Sequence, residues 1–307
     1  MKYDKKITLL LVSLFLLSQM VGLVFLAEDM QVVTTPEGNV PVHGETAIGP
    51  RPDVDVDSGE SVLYILTGVF IGTVLLLLII RFSKVNYWKI LFFISVLTTI
   101  TIAMGVFVSP VFAFFIGLFL AILKIFRSNV FVHNLTELLI YAGIAVLFVP
   151  LFNVFWAVIL LLIISAYDAF AVWQSRHMIK MAKFQTGSRL FAGLMVSLER
   201  GKKSSMEKAV KNPPKKEAKN TQIRTTGEAI LGGGDIAFPL IFSGVVMESF
   251  VVTMNKQMAF LKVLIIPIVL SAVLLMLLIK GKQGKFYPAM PFLTAGCLIG
   301  YGIALLI

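Results

Sequence analysis

The sequence predicts an all-α membrane protein with nine transmembrane helices, its N-terminus in the cytoplasm and its C-terminus outside. Three observations predict it. Of 307 residues, 58% are hydrophobic and only 14% are charged, and the mean hydropathy is +0.90, which excludes an ordinary soluble globule. Apolar runs of about 20 residues recur along the chain, the length needed to cross a hydrocarbon core of ~30 Å. With the N-terminus inside, all of the 27 Lys and Arg residues except Arg51, Lys256 and Lys262 fall on the cytoplasmic side. That is the asymmetry of the positive-inside rule, and it accounts for the net charge of +10 without nucleic acid.

The expected spans are about 7–27, 61–80, 88–108, 110–126, 136–152, 154–174, 227–250, 258–280 and 286–307, and the whole chain reads as one polytopic domain. The first follows a basic start, "MKYDKK". Its apolar stretch is long for a signal peptide and "VFLAED" is a poor cleavage site, so an uncleaved helix is expected. The external loop 28–60 is acidic and rich in Pro and Gly. Its Asp53, Asp55 and Asp57 have the spacing of a calcium loop, but Gly59 comes one place late and Tyr64 stands where the closing Glu belongs. The loop 175–226 opens with mixed basic and apolar residues suited to an amphipathic helix on the membrane surface. It then becomes charged, with adjacent prolines and no aromatics, the composition of a flexible segment.

Several chemistries are disfavoured. Cys297 is the lone cysteine, so neither a disulfide framework nor a cysteine metal cluster is available. There is no HExxH, and His43, His133 and His177 lie outside the predicted span cores. That argues against a zinc site and against a serine protease with a buried histidine base. No metal and no cofactor are expected. Glu137, Glu228 and Glu248 sit near predicted span ends and are expected to be interfacial and hydrated.

Carboxylates deep in spans are rare and mark function. Asp168 lies on span six in "LLIISAYDAFAVW", and Asp235 lies on span seven in "AILGGGDIAFPLIF". Counted from the cytoplasmic boundaries near Trp173 and Glu228, they lie roughly 8 and 10 Å deep at ~1.5 Å rise per residue. Two carboxylates at matching depth on consecutive antiparallel helices can face each other and share one proton. One then activates water while the other donates to a peptide carbonyl. A buried Asp paired with lysine, or a proton-coupled transporter, remains open on these grounds. Gly232 to Gly234 cost the helix roughly 3 kcal/mol of propensity, and Pro239 removes the donor for the Asp235 carbonyl, so the helix is expected to be weakened on both sides of Asp235. Pro288 and Pro291, at the same level on span nine, are expected to prevent a regular first turn.

At these residues the chain resembles a family. Tyr167-Asp168 resembles the YD motif of presenilin and signal peptide peptidase, and Gly232-Gly233-Gly234-Asp235 matches their GxGD motif. Pro288-Ala289-Met290 is similar to their PAL motif, with Met where Leu is usual, a nearly volume-conserving change. All three motifs fall in order on spans six, seven and nine. The resemblance implies an intramembrane aspartyl protease with Asp168 and Asp235 as its catalytic pair. It implies that Tyr167, the three glycines and the Pro288–Met290 segment form the active-site surroundings. It also implies partners that are transmembrane segments of substrates in a lipid bilayer, and a mobile 175–226 loop open to cleavage. The short chain resembles microbial, archaeal-type members, which implies a cell membrane and action without partner subunits. Prepilin-type peptidases share only the Asp235 motif, usually with fewer spans.

Overall fold

The computed structural model describes residues 5–36, 38–82, 85–127, 129–173, 191–197, 228–281 and 287–307. The apolar runs form helices α1 (Lys5–Asp29), α2 (Glu60–Arg81), α3 (Val85–Gly105), α4 (Pro110–Phe126), α5 (Val130–Phe148) and α6 (Val154–Trp173). They continue as α7 (Gly234–Val251), α8 (Lys256–Val263), α9 (Ile265–Lys280) and α10 (Met290–Leu306). Among the described residues, seven stretches are long and apolar enough to cross a membrane, with α8 and α9 counted as one; α4 and α10 are shorter apolar helices. Nine apolar rods therefore stand where nine spans were expected.

The centre is built around α1 and α7. Along α1, Leu11, Phe15, Leu23 and Leu26 are fully buried, and the helix touches α5, α7 and α9. Between helices in lipid the drive is close packing, and small residues allow it. A Cβ on Gly143 of α5 would fall 2.0 Å from the Thr99 carbonyl oxygen of α3, and one on Gly22 of α1 would fall 2.3 Å from Leu240 of α7. A smaller cluster of Phe92, Val96, Ile100 and Ala121 joins α3 to α4. In contrast, α2 leaves Leu63, Tyr64, Phe70 and Ile71 exposed, as a helix on the lipid side does.

Two small sheets depart from the all-helical expectation. Between α1 and α2, β1 (Met30–Thr35) and β2 (Gly38–His43) form an antiparallel hairpin. Below the bundle centre, β3 (Gly193–Ser197) pairs antiparallel with β4 (Glu228–Gly232), Gly193 opposite Gly232. Residues 227–233 were expected to be helix, and 191–197 to be part of a surface helix. Both stretches contain a strand instead, because they bury alternate residues: Leu194 and Val196 face Ala229 and Leu231, a period of two. The rest of the expected surface helix and charged loop lies outside the described residues.

Helix α7 starts at Gly234 and runs to Val251 with Pro239 inside it. The weakening expected after Asp235 does not interrupt the helix. Pro239 comes early enough that only one carbonyl, that of Asp235 itself, loses its helical donor. The next carbonyl, of Ile236, accepts from Gln19 Nε2 of α1 at 2.9 Å. Likewise Pro291 sits in the first turn of α10, where proline's missing N–H costs nothing; it starts that helix and does not prevent its first turn.

Candidate active site

Asp168 lies in the penultimate turn of α6, and Asp235 is the second residue of α7. The two helices pack against each other. Both are half-buried. The backbone N–H of Met290 donates to Asp168 Oδ2 at 3.2 Å. Met290 opens α10, so one of the unpaired N–H groups at that helix start points at a carboxylate, the arrangement that helix termini favour for anions. The Pro288–Met290 segment thus touches Asp168 across 122 residues of sequence.

The glycines act through space more than through conformation. None of Gly232, Gly233 and Gly234 has a positive φ, and Gly233 sits at φ −64° and ψ −34°, open to any residue. A Cβ on Gly232 would lie 3.3 Å from Asp235 Oδ2, and one on Gly233 would lie 3.1 Å from the Tyr141 hydroxyl. The expectation that the triplet loosens a helix is corrected here. Gly232 closes a strand, Gly233 turns the chain and bonds the Ala192 carbonyl at 3.2 Å, and Gly234 opens the helix. Missing side chains leave room beside the carboxylate. Tyr167 is 51% exposed. As the neighbour of Asp168 on a helix it points about 100° away around the axis.

Beneath this site is a buried polar network that the sequence reading did not anticipate. Glu137 and Lys124 are 0% and 2% exposed and pair at 2.6 Å. Glu137 also accepts from the Tyr141 hydroxyl at 2.5 Å and from the Gly193 N–H at 3.1 Å. It is not hydrated. The signal was present in the sequence as opposite charges at adjoining ends of two consecutive apolar runs. His133, also buried, bonds the Gly193 carbonyl at 2.8 Å. Glu248, at the far end of α7, is likewise held in contact with His43, at 2.8 Å. The side chain of Glu228 lies outside the described residues. Nor is the acidic loop free in water throughout: Asp57 accepts from Asn153 and from the Trp156 indole at 2.9 and 3.0 Å.

The fold and site define a polytopic membrane protein with two carboxylates on packed helices at one end of its bundle. Residues 12–307 match the family model described as signal-peptide peptidase, presenilin aspartyl protease. The chain belongs to that family and is an intramembrane aspartyl protease, a hydrolase of peptide bonds. Two crystal forms of a presenilin family intramembrane aspartate protease share its fold. The C222 form aligns with a TM-score of 0.60 at 14% identity, covering 97% of this chain and 98% of the other. The P2 form aligns with a TM-score of 0.57 at 15% identity, covering 96% of each. No curated protein matches the chain significantly.

Proposed function

We propose that Asp168 and Asp235 are the catalytic dyad and cleave peptide bonds within or near transmembrane helices of membrane proteins. The observation that carries this reading is their convergence: two carboxylates 67 residues apart, on packed helices, each at the start of a helix or facing one. With one proton between them, the ionised aspartate takes a proton from water as the water oxygen attacks the peptide carbonyl carbon. The protonated aspartate donates to the carbonyl oxygen. The tetrahedral intermediate then collapses: the C–N bond breaks, the leaving nitrogen takes the proton that came from water, a hydroxyl of the intermediate returns its proton to the other aspartate, and a carboxyl group remains.

Room for substrate lies beside Gly232, and β4 runs directly into the site. An extended peptide adds to such a strand through backbone hydrogen bonds. The Pro288–Met290 segment meets Asp168. We read the whole chain as one membrane domain with its N-terminus in the cytoplasm, in a cell membrane. Substrates then present their C-terminal side to the cytoplasm. The lysine and arginine asymmetry supports this orientation.

The test uses purified full-length protein in detergent and a helical membrane peptide. Asp168→Ala and Asp235→Ala each abolish cleavage, and a peptidomimetic transition-state inhibitor blocks the parent protein. Retained cleavage by either single variant would falsify the dyad.

A further inference from the structure

Strand β3 has one edge on β4; side chains of α5 occupy the other. His133 Nε2 lies 2.8 Å from the Gly193 carbonyl oxygen, and the Gly193 N–H donates to Glu137 Oε2 at 3.1 Å. Asn134 closes a fork on Met195: its Nδ2 donates to the carbonyl at 2.7 Å and its Oδ1 accepts the N–H at 2.9 Å. These are the four backbone groups that a third strand would use. Three residues of one helix turn therefore imitate a strand.

This capping has a consequence for the opposite edge. In an antiparallel pair, residues opposite each other either exchange both hydrogen bonds or both turn their groups outward. Gly193 and Met195 turn outward to α5, so their partners Gly232 and Ile230 turn outward on the β4 side. That outward-turned edge of β4 is the one that leads to Asp235.

A two-stranded ribbon is marginal alone and can slip. Slipping by one residue would expose Leu194, Val196, Ala229 and Leu231, so it is blocked by burial. Slipping by two keeps that face buried, and the α5 contacts oppose it together with α1, which packs on both strands. Gly193 supplies the matching lock. Its φ is +152°, and a Cβ there would meet the Leu231 carbonyl oxygen at 2.2 Å, so no other position of β3 fits where α5 grips it. The grip itself is anchored, because Lys124 and Tyr141 hold Glu137 from behind.

We infer that Asn134, with His133 and Glu137, positions the β3–β4 ribbon, and so selects which peptide bond of an extended substrate reaches the aspartates. These are positioning residues. The inference rests on the dyad and strand-addition reading above.

The experiment maps cut positions by mass spectrometry of products from full-length protein in detergent. In Asn134→Val the fork is lost. The main cut falls in share by roughly twofold or more, and new cuts appear two residues away, the spacing of a face-preserving slip. Asn134→Gln, which carries the amide one methylene farther and keeps its polarity, gives the same displaced pattern if the valine variant does not fold. A residue needed only for folding lowers the rate at unchanged positions, and that result in the folded variants overturns the inference while leaving the dyad standing. Cleavage surviving Asp168→Ala or Asp235→Ala overturns the dyad and this inference with it.

Discussion

The two ends of α7 are both surrounded by buried charge, and they are organised differently. At the C-terminal end, Asp29, Arg51, His43 and Glu248 are matched with one another. Asp29 receives two bonds from Arg51 Nη2 at 2.9 and 2.8 Å, and His43 bridges Asp29 at 2.7 Å and Glu248 at 2.8 Å. Burial opposes the charge on His43, but its contacts with Asp29 and Glu248 outweigh burial and raise its pKa to about 9. At the N-terminal end, Lys124 is committed to Glu137, and Asp168 accepts the Met290 N–H with Asp235 on the helix packed against its own. Paired charge fastens one end; at the other, Asp168 and Asp235 form no ion pair among the described residues. A buried carboxylate with a cation beside it is a poor partner for water; one facing another carboxylate can trade a proton.

This contrast is easiest to break at the aspartates. Asp235→Ala or Asp168→Ala lowers the cleavage rate by about 10²–10⁴-fold or more, with the unfolding midpoint in detergent little changed. A similar loss of activity from Arg51→Met would erase the distinction between the ends.

Next in size is the ion pair at the N-terminal end. Lys124→Met leaves Glu137 buried without its cation and costs about 3–5 kcal/mol. Adding Glu137→Gln recovers most of that, because the uncompensated charge is gone. Thermal unfolding of the two single variants and the double variant measures it. A simple sum of the single costs would show that the pair is not coupled.

The C-terminal end is tested by pH. The folded-state pKa of His43 is raised from 6.5 to about 9, so its stabilisation is complete below about pH 6.5 and is lost as pH climbs through 9. The loss is about 1–3 kcal/mol, seen as a falling unfolding midpoint over that range. His43→Gln flattens that part of the curve.

Gly233→Ala has the smallest expected effect on stability, about 1 kcal/mol or less, since its backbone angles suit alanine and only the Tyr141 hydroxyl must shift. Its cleavage rate should fall by more than its stability suggests, as the added methyl crowds the turn before Asp235. Equal activity per folded molecule would show that room at this glycine is unimportant.

Much of the site was legible beforehand. Asp168, Asp235 and the proline segment stand out as intramembrane acids and backbone breakers, and in the fold Asp168 meets the proline segment while its helix packs on that of Asp235. The role of the glycines was misjudged, because propensity describes an isolated helix. Here a neighbouring strand offered 228–232 another way to satisfy its backbone. Glu137 was set aside as hydrated because its partner is on another helix, and nothing local to α5 shows that Lys124 reaches it.

What the sequence determined by itself is what depends on near neighbours: the apolar runs, their number, the charge asymmetry between loops and the places where regular helix is costly. Hydropathy and propensity are sums over a few adjacent residues, so they can be read without a fold. Tertiary structure decided the rest. Gln19 supports α7 from 217 residues away, and the α10 start meets Asp168 from 122 away. Asn134 grips a strand 61 residues on. Such contacts require the bundle to be packed first, because burial is what makes each polar group seek its partner.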